Sequence, residues 1–129
     1  ATIAPEAEKY GVEIISMIAP TSHQRIQSIA REAQGYIYLV SSLGVTGVRK
    51  EITTNLKEIV EKIREVSDRP IAVGFGISTP EQAKEMAEIS DGAIVGSAIV
   101  KLCAQYGKDC VEPVKQYVRE MADAVEEAK

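Results

Sequence analysis

Three stretches of this sequence place glycine and hydroxyl residues directly after short apolar runs. They read GVTG at 44–47, GFGIS at 74–78 and GSA at 96–98. Glycine lets a ligand approach the backbone closely, and the start of a following helix presents unpaired N–H groups at the positive end of its dipole. Each stretch alone is also compatible with a tight turn or with close packing. Taken together, they predict a cradle for an anion such as phosphate.

Acidic side chains are missing from the loops around these stretches. The nineteen Asp and Glu residues all lie outside residues 18–22, 41–50, 74–79 and 96–100. A general acid or base must reach the reacting atoms, and Glu51 is the nearest candidate, since Glu81 falls inside a predicted helix. His23 is expected to face solvent or to cap a helix. The sequence therefore predicts anion binding without an evident acid–base pair.

The two cysteines, Cys103 and Cys110, do not indicate a disulfide framework or a metal site. They are too few for a disulfide scaffold, and their spacing with the single distant His23 matches no zinc pattern. We expect reduced thiols, with Cys103 packed on a short helix and Cys110 exposed in the loop after it, and not a redox pair. No metal and no cofactor is expected.

Composition limits the remaining classes of function. A chain of 129 residues has the size of one domain, and 45% hydrophobic with 26% charged residues is close to the globular average. There is no apolar run of eighteen residues and no secretory signal, so we expect a cytoplasmic protein without a membrane partner. The net charge of -4, with no basic stripe, argues against nucleic acid.

The elements that position the glycine-rich stretches follow from hydrophobic periodicity. Strand-like runs occupy 13–18, 36–41, 71–76 and 92–95, with helix-like spacing after each of them. A partial helix at 3–10 precedes the first strand. This β-α alternation, four times over, predicts a parallel sheet with ligand-binding loops at the carboxyl ends of its strands.

Helix-start signals sharpen these predictions. The runs Thr21–Gln24 and Thr79–Gln82 both fit a capping box, and Pro80 and Pro113 suit first-turn positions. Residues 97–106, followed by Gly107, predict a short extra helix before the long terminal one. In a (β/α)8 barrel, the loops after the last two strands and a short extra helix hold phosphate. The sequence therefore predicts a phosphate cup of this kind.

Three longer runs carry a resemblance to a known family. They are YIYLVSSLGVTG, PIAVGFGISTPEQ and DGAIVGSAIVKL, in this order and spacing. They closely resemble the tryptophan synthase alpha chain family. That family is a (β/α)8 TIM barrel of the ribulose-phosphate-binding type, and in tryptophan biosynthesis it cleaves indole-3-glycerol phosphate into indole and glyceraldehyde 3-phosphate. The resemblance covers nearly the whole chain and implies one domain over residues 1–129.

The resemblance also implies roles for seven residues. The residues implied to hold the substrate phosphate are Gly47, Gly76, Gly96 and Ser97. Tyr38 and Phe75 are implied to line the indole pocket. Thr46 is implied to belong to a mobile loop that closes over the substrate and helps to position a catalytic carboxylate.

This chain departs from the family in its extent. It resembles only the second half of the barrel, from the helix after the fourth strand to the eighth helix. The family's catalytic glutamate and aspartate belong to the other half, so the resemblance implies no catalytic residue here. The chain starts at Ala1 in mid-helix without methionine, and we expect a fragment that is inactive alone. The family's partner is the tryptophan synthase beta chain.

Two functions from different classes remain open. The first is the lyase, known here through its substrate-binding half. The second is a non-catalytic phosphate-binding half-barrel that self-associates, since a four-stranded sheet cut from a barrel leaves two open edges and two copies would supply eight strands. A third reading, a phosphate-binding isomerase barrel, is weakened by the GVTG run at 44–47.

Overall fold

The computed structural model describes residues 3–41, 49–74 and 76–129. Its centre is one four-stranded sheet in the order β1-β2-β3-β4, and all three strand pairs are parallel. The strands are β1 Ser16–Ile18, β2 Ile37–Val40, β3 Ile71–Gly74 and β4 Gly92–Ala93. The predicted β-α alternation and parallel sheet are confirmed.

Helices follow every strand. The α-helices are α1 Ala4–Lys9, α2 Ile26–Glu32, α3 Arg49–Arg64, α4 Pro80–Ile89, α5 Ser97–Tyr106 and α6 Val111–Glu127. Two 3₁₀ helices, Pro20–Arg25 and Gly107–Asp109, precede α2 and α6. The short extra helix predicted at 97–106 is present with the same bounds.

The core lies on one face of the sheet. Ile18, Leu39 and Val73 are paired across neighbouring strands, and all three are fully buried. Four helices, α2, α3, α4 and α6, supply the other side of this core, and their residues in it are Ile26, Ala30, Leu56, Ile59, Val60, Ile63, Ala83, Met86 and Met121. Each Ile or Leu buried in this way contributes about 1.5–3 kcal/mol relative to exposure.

The opposite face of the sheet is less covered. Side chains alternate along a strand, so the next row points away from the core. That row is Met17, Tyr38, Ala72 and Gly92, which are registered partners across the four strands. Met17 is 60% exposed. We call this row the open row; its exposure is what a barrel wall shows when the rest of the barrel does not enclose it.

All four strands are shorter than the sequence predicts, and the two edge strands show why. The ladder of β1 starts at Ser16 and not at residue 13, because the Ile14 N–H donates to the Gln34 side-chain oxygen at 3.0 Å. At the other edge, β4 ends at Ala93, although the Ile94 N–H still donates to the Val73 carbonyl at 2.7 Å. In both places the apolar pattern continues beyond the paired residues.

One of the two predicted capping boxes is confirmed. Thr79 caps α4 by accepting from the Gln82 N–H, and the Gln82 side chain accepts in return from the Thr79 N–H. The box predicted at Thr21–Gln24 is wrong. There a 3₁₀ helix runs directly into α2, so the chain has no extended cap position, and the Ser22 hydroxyl accepts from the Ala19 N–H instead.

Candidate functional site

A cavity of about 340 Å³ lies at the carboxyl ends of β3 and β4. Its described lining residues are Tyr38, Gly76, Ile77, Ile94, Gly96 and Ser97. Four residues that the family resemblance singled out, Tyr38, Gly76, Gly96 and Ser97, are therefore brought together around one space. They come from three different β-α units, which is the expected outcome when parallel strands end at the same edge of a sheet.

Tyr38 reaches this cavity by crossing over the end of β3. A Cβ atom placed on Gly74 would lie 2.3 Å from the Tyr38 hydroxyl oxygen and 2.5 Å from the ring carbon that bears it. Only a residue without a side chain leaves room for the ring there. Gly74 thus leaves the space that the Tyr38 ring occupies, and it is the residue of the GFGIS stretch whose need for glycine is steric.

Gly76 needs glycine for a different reason. Its φ is +75°, in the left-handed region that residues with a side chain rarely adopt, while a Cβ there would meet nothing within 4 Å. This backbone conformation directs the chain from the end of β3 into the loop before α4. Neither the Gly76 nor the Ile77 N–H has an acceptor among the described residues.

The start of α5 supplies the other wall of the cavity. Gly96 is the N-cap residue and brings no side-chain cap, and its carbonyl oxygen accepts from the Ile99 and Val100 N–H groups. The Ser97 and Ala98 N–H groups have no acceptor within the described part of the chain. Ten residues of α5 place the positive end of a helix dipole here, so the wall presents N–H groups and one hydroxyl to the cavity.

Sequence reasoning missed the anchors of the loop after β3. The Gln82 side-chain oxygen accepts from the Ser78 N–H at 2.9 Å, the Ser78 hydroxyl at 3.2 Å and the Thr79 N–H at 3.1 Å. Tyr117 on α6 donates to the Ser78 carbonyl oxygen, and burial raises the pKa of this tyrosine. The capping-box spacing pointed to Gln82, whereas no local signal pointed to Tyr117.

Three of the predicted site residues lie outside the described residues. They are Thr46, Gly47 and Phe75, and the side chain of Glu51 is also outside the described part. Their roles stay predictions. No group of three His, Cys, Asp or Glu residues that could hold a metal occurs within residues 3–41, 49–74 and 76–129.

The described cavity presents hydrogen-bond donors and one aromatic ring, without an evident acid–base pair. Among its described lining residues there is no carboxylate and no imidazole. Backbone N–H groups, the Ser97 hydroxyl and the Tyr38 ring suit a small molecule with an anionic end and an apolar end. Over the same described residues, no helix combines the length and hydrophobicity needed to cross a membrane.

A second cavity, of about 420 Å³, lies beside the edge strand β4. It runs between β4 and the helices α4, α5 and α6, and its lining is almost entirely apolar, with Ala93, Val95, Ile99 and Val118 among the residues that form it. We call it the edge groove. It shares no lining residue with the first cavity, and its ionisable side chains are those of Tyr117 and Glu126.

The sheet, the helices on one of its faces and the cavity at the strand ends define four consecutive β-α units of a (β/α)8 barrel. A family model described as tryptophan synthase alpha chain matches residues 1–127. The chain belongs to this family.

Individual relatives agree with the family match. The tryptophan synthase alpha chain of Lacticaseibacillus casei is 47% identical over 127 residues, which cover 98% of this chain and 48% of the relative. That of Lactiplantibacillus plantarum is 48% identical, over 96% of this chain and 47% of the relative. The solved tryptophan synthase subunit alpha from Campylobacter jejuni is 32% identical with a TM-score of 0.81, over 93% of this chain and 48% of that chain. The chain thus spans about half the length of these relatives.

Proposed function

We propose that this chain is the phosphate-binding, C-terminal half of a tryptophan synthase alpha chain, acting in tryptophan biosynthesis in the cytoplasm. The reaction is the carbon–carbon cleavage of indole-3-glycerol phosphate into indole and glyceraldehyde 3-phosphate. One observation carries the proposal: Tyr38, Gly76, Gly96 and Ser97, assigned by resemblance to one substrate, line one cavity. Family membership supplies the identity of that substrate.

Different parts of the cavity would contact the two ends of such a substrate. The N–H groups at Gly76 and at the start of α5, with the Ser97 hydroxyl, would hold the phosphate, since unpaired backbone donors at a helix start favour an anion. The Tyr38 ring would pack against the indole. In the proposal Gly47 and Phe75 complete the phosphate and indole contacts, and Thr46 belongs to the loop that closes over the substrate.

The chemical step needs groups that this cavity does not show. The bond breaks when an acid protonates the indole ring carbon and a base removes the proton of the neighbouring hydroxyl. No described lining residue carries a carboxylate or an imidazole for either step. We therefore propose that the catalytic carboxylates belong to the other half of the family barrel, that the 129-residue chain alone is inactive, and that the beta chain is a partner of the full-length protein.

The binding part is tested by titrating the ¹⁵N-labelled chain with glycerol 3-phosphate and, separately, with glycerol. Phosphate-dependent shifts of the Gly76, Gly96 and Ser97 amides are expected, and Ser97→Ala should weaken them. Ser28→Ala, on the exposed side of α2, is the matched control and should leave them unchanged. Equal shifts with glycerol, or none with either ligand in a folded chain, would contradict the phosphate site.

The catalytic part is tested by an indole assay on this chain, alone and mixed with a separately made first half of a family member's barrel. Indole is expected only from the mixture. Loss of one acid or base costs about 10²- to 10⁴-fold, so loss of both should remove measurable turnover from the chain alone. Activity of the isolated chain that disappears in Glu51→Gln would contradict the proposal and assign catalysis to Glu51.

Self-association is a second proposal, supported by the two sheet edges and the edge groove. Within the described residues, β1 and β4 each pair on one side only. Two copies related by a two-fold axis would pair β4 of each with β1 of the other and complete eight strands. The apolar edge groove beside β4 would then be covered by the copy.

The oligomeric state in solution tests this pairing. A dimer is expected by sedimentation at roughly tens of micromolar, since edge pairing then outweighs dilution. Val118→Lys, inside the edge groove, should shift it toward monomer, while Val111→Lys, which is 69% exposed and outside that groove, should not. A stable monomer of the unchanged chain would end this proposal.

A further inference from the structure

The two cysteines flank a tight turn between α5 and α6. Cys103 lies in the last turns of α5, and its carbonyl oxygen accepts from the Gly107 N–H. The Gly107 carbonyl oxygen then accepts from the Cys110 N–H at 3.2 Å. Gly107 has a φ of +56°, so the chain reverses there and brings the start of α6 back toward the end of α5.

The side chains are neighbours as well. Cys110 is the main cause of the raised pKa of the Cys103 thiol, and both cysteines are free thiols. Cys103 is exposed and Cys110 is half-buried, the reverse of the packed and exposed roles that the sequence led us to expect. Their spacing in sequence gave no sign of this contact, because it depends on the left-handed turn at Gly107.

We propose that Cys103 and Cys110 are an oxidisable pair that closes to an intramolecular disulfide between the end of α5 and the start of α6. The oxidant is a small-molecule disulfide such as oxidised glutathione. One cysteine thiolate attacks it, forming a mixed disulfide and releasing one glutathione thiolate. The second cysteine then attacks the protein sulfur of that mixed disulfide, closes the ring and releases the second glutathione. The net change oxidises two protein thiols and reduces one glutathione disulfide to two thiols.

We expect the disulfide to form because the two cysteines are close together, and not because either thiol has a lowered pKa. Hydrogen bonding to the Cys110 side chain raises the pKa of the exposed Cys103 thiol, and partial desolvation and the charge of a Cys110 thiolate raise it further. Cys103 is therefore mostly protonated at neutral pH and reacts slowly with an oxidant. Once one cysteine carries a mixed disulfide, however, its neighbour is already in place, so ring closure is expected to outrun attachment of a second glutathione.

The disulfide would link the end of α5 covalently to the start of α6, and the first residues of α5 line the cavity. Gly96 and Ser97 lie at the beginning of α5 and Cys103 lies near its end. The disulfide itself requires neither that cavity nor any ligand, so its test is independent of the proposed lyase function.

The test is incubation of the 129-residue chain with oxidised glutathione, followed by alkylation of remaining thiols and intact mass measurement. The expected product has lost the mass of two hydrogen atoms and carries no glutathione. Trypsin cuts after Lys101, Lys108 and Lys115, so non-reducing digestion should join peptides 102–108 and 109–115. Reduction should separate them.

Single-cysteine variants provide the matched controls. Cys103→Ser and Cys110→Ser should each retain one glutathione on the remaining thiol, because no neighbour displaces it. The proposal is overturned if the unchanged chain keeps glutathione on both cysteines, if its two thiols stay unmodified while those of the single variants react, or if the peptide link occurs only in chains cross-linked to each other on a non-reducing gel.

Discussion

The Tyr117 hydroxyl donates a hydrogen bond to the Ser78 carbonyl oxygen at 2.5 Å, across 39 residues of sequence. It connects the last helix to the loop that follows β3. Because Gly76 at the cavity belongs to the same loop, the terminal helix takes part in fixing the backbone that would bind an anion. We therefore expect a positioning role for Tyr117, which is not among the described residues that line the cavity.

Tyr117→Phe should loosen the loop after β3 without unfolding the protein. Removing the hydroxyl deletes one hydrogen bond, and the exposed Ser78 can turn to water, so the free energy of unfolding should fall by about 0.5–1.5 kcal/mol. Urea unfolding measures this, and the Gly76 and Ile77 amide resonances should shift. Tyr106→Phe, on the exposed end of α5, is the control and should change neither. Unmoved Gly76 and Ile77 resonances in Tyr117→Phe would contradict the positioning role.

Gln82→Ala should cost more than an ordinary surface substitution. The Gln82 side-chain oxygen accepts from three donors in Ser78 and Thr79, and it is the return half of the capping box on α4. We expect a loss of about 0.5–2 kcal/mol in the free energy of unfolding. The control is Gln116→Ala on the exposed face of α6. Equal losses for the two variants would show that the box contributes nothing particular.

Asp91 should make the fold sensitive to acid. Its carboxylate accepts from the Ile71 N–H at 2.8 Å and from Arg64 at 2.6 Å, so it joins the start of β3 to the end of α3. Burial raises the pKa of Asp91, but these two contacts and the charges of Arg64 and Lys129 outweigh burial and hold the pKa below its usual value.

The sign of the pH effect follows from this lowered pKa. A carboxyl group whose pKa is lower in the folded state stabilises the fold above its unfolded pKa of about 3.9, and this stabilisation is lost as the pH falls through the folded value. Unfolding free energy measured from pH 6 down to pH 3, a range of about three units that brackets that value, should fall less steeply in Asp91→Asn than in the unchanged chain. Asp68→Asn, in the exposed turn before β3, should keep the original slope. The opposite ranking of these two variants would refute the assignment.

Gly74→Ala should displace the Tyr38 ring. The new methyl group would lie 2.3 Å from the Tyr38 hydroxyl oxygen, so ring or strand must move, at a cost of about 1–3 kcal/mol. Gly92→Ala is a close control, because a Cβ at that strand position meets nothing within 4 Å. Adding Tyr38→Ala to Gly74→Ala should recover part of the loss, and a double-mutant cycle on urea unfolding measures the coupling. Strict additivity would contradict the steric explanation.

Elements with strong local signals were predictable from the sequence. The α5 helix was predicted at 97–106 because glycine flanks it on both sides, and α4 because Thr79, Pro80 and Gln82 mark its start. The start of β1 was not predictable from the sequence. The Ile14 N–H donates to the Gln34 side-chain oxygen and not to a neighbouring strand, and Gln34 lies twenty residues away in sequence. The capping box predicted at Thr21 was wrong, because the residue types that mark the start of an α-helix also occur in the 3₁₀ helix found there.

The candidate site was predictable only in part. Periodicity indicated glycine-rich loops at the strand ends, and the family resemblance named the residues, of which Tyr38, Gly76, Gly96 and Ser97 meet at one cavity. Periodicity could not reveal the Tyr117 contact with Ser78 or the Cys103 contact with Cys110. Both are tertiary contacts whose partners are chosen by the packing of α6 and by the reversal at Gly107.

The open row has one further consequence, which concerns shape. Its two bulky side chains, Met17 and Tyr38, lie on β1 and β2, whereas Ala72 on β3 and Gly92 on β4 are small. The surface is therefore wedge-shaped, thick near one edge and thin near the other. A covering element fills it without voids only if its own bulk increases in the opposite direction. The volumes of these four side chains therefore favour one orientation of any element that packs on this face. In the reverse orientation, the same element would clash with the bulky side chains and leave a void over the small ones.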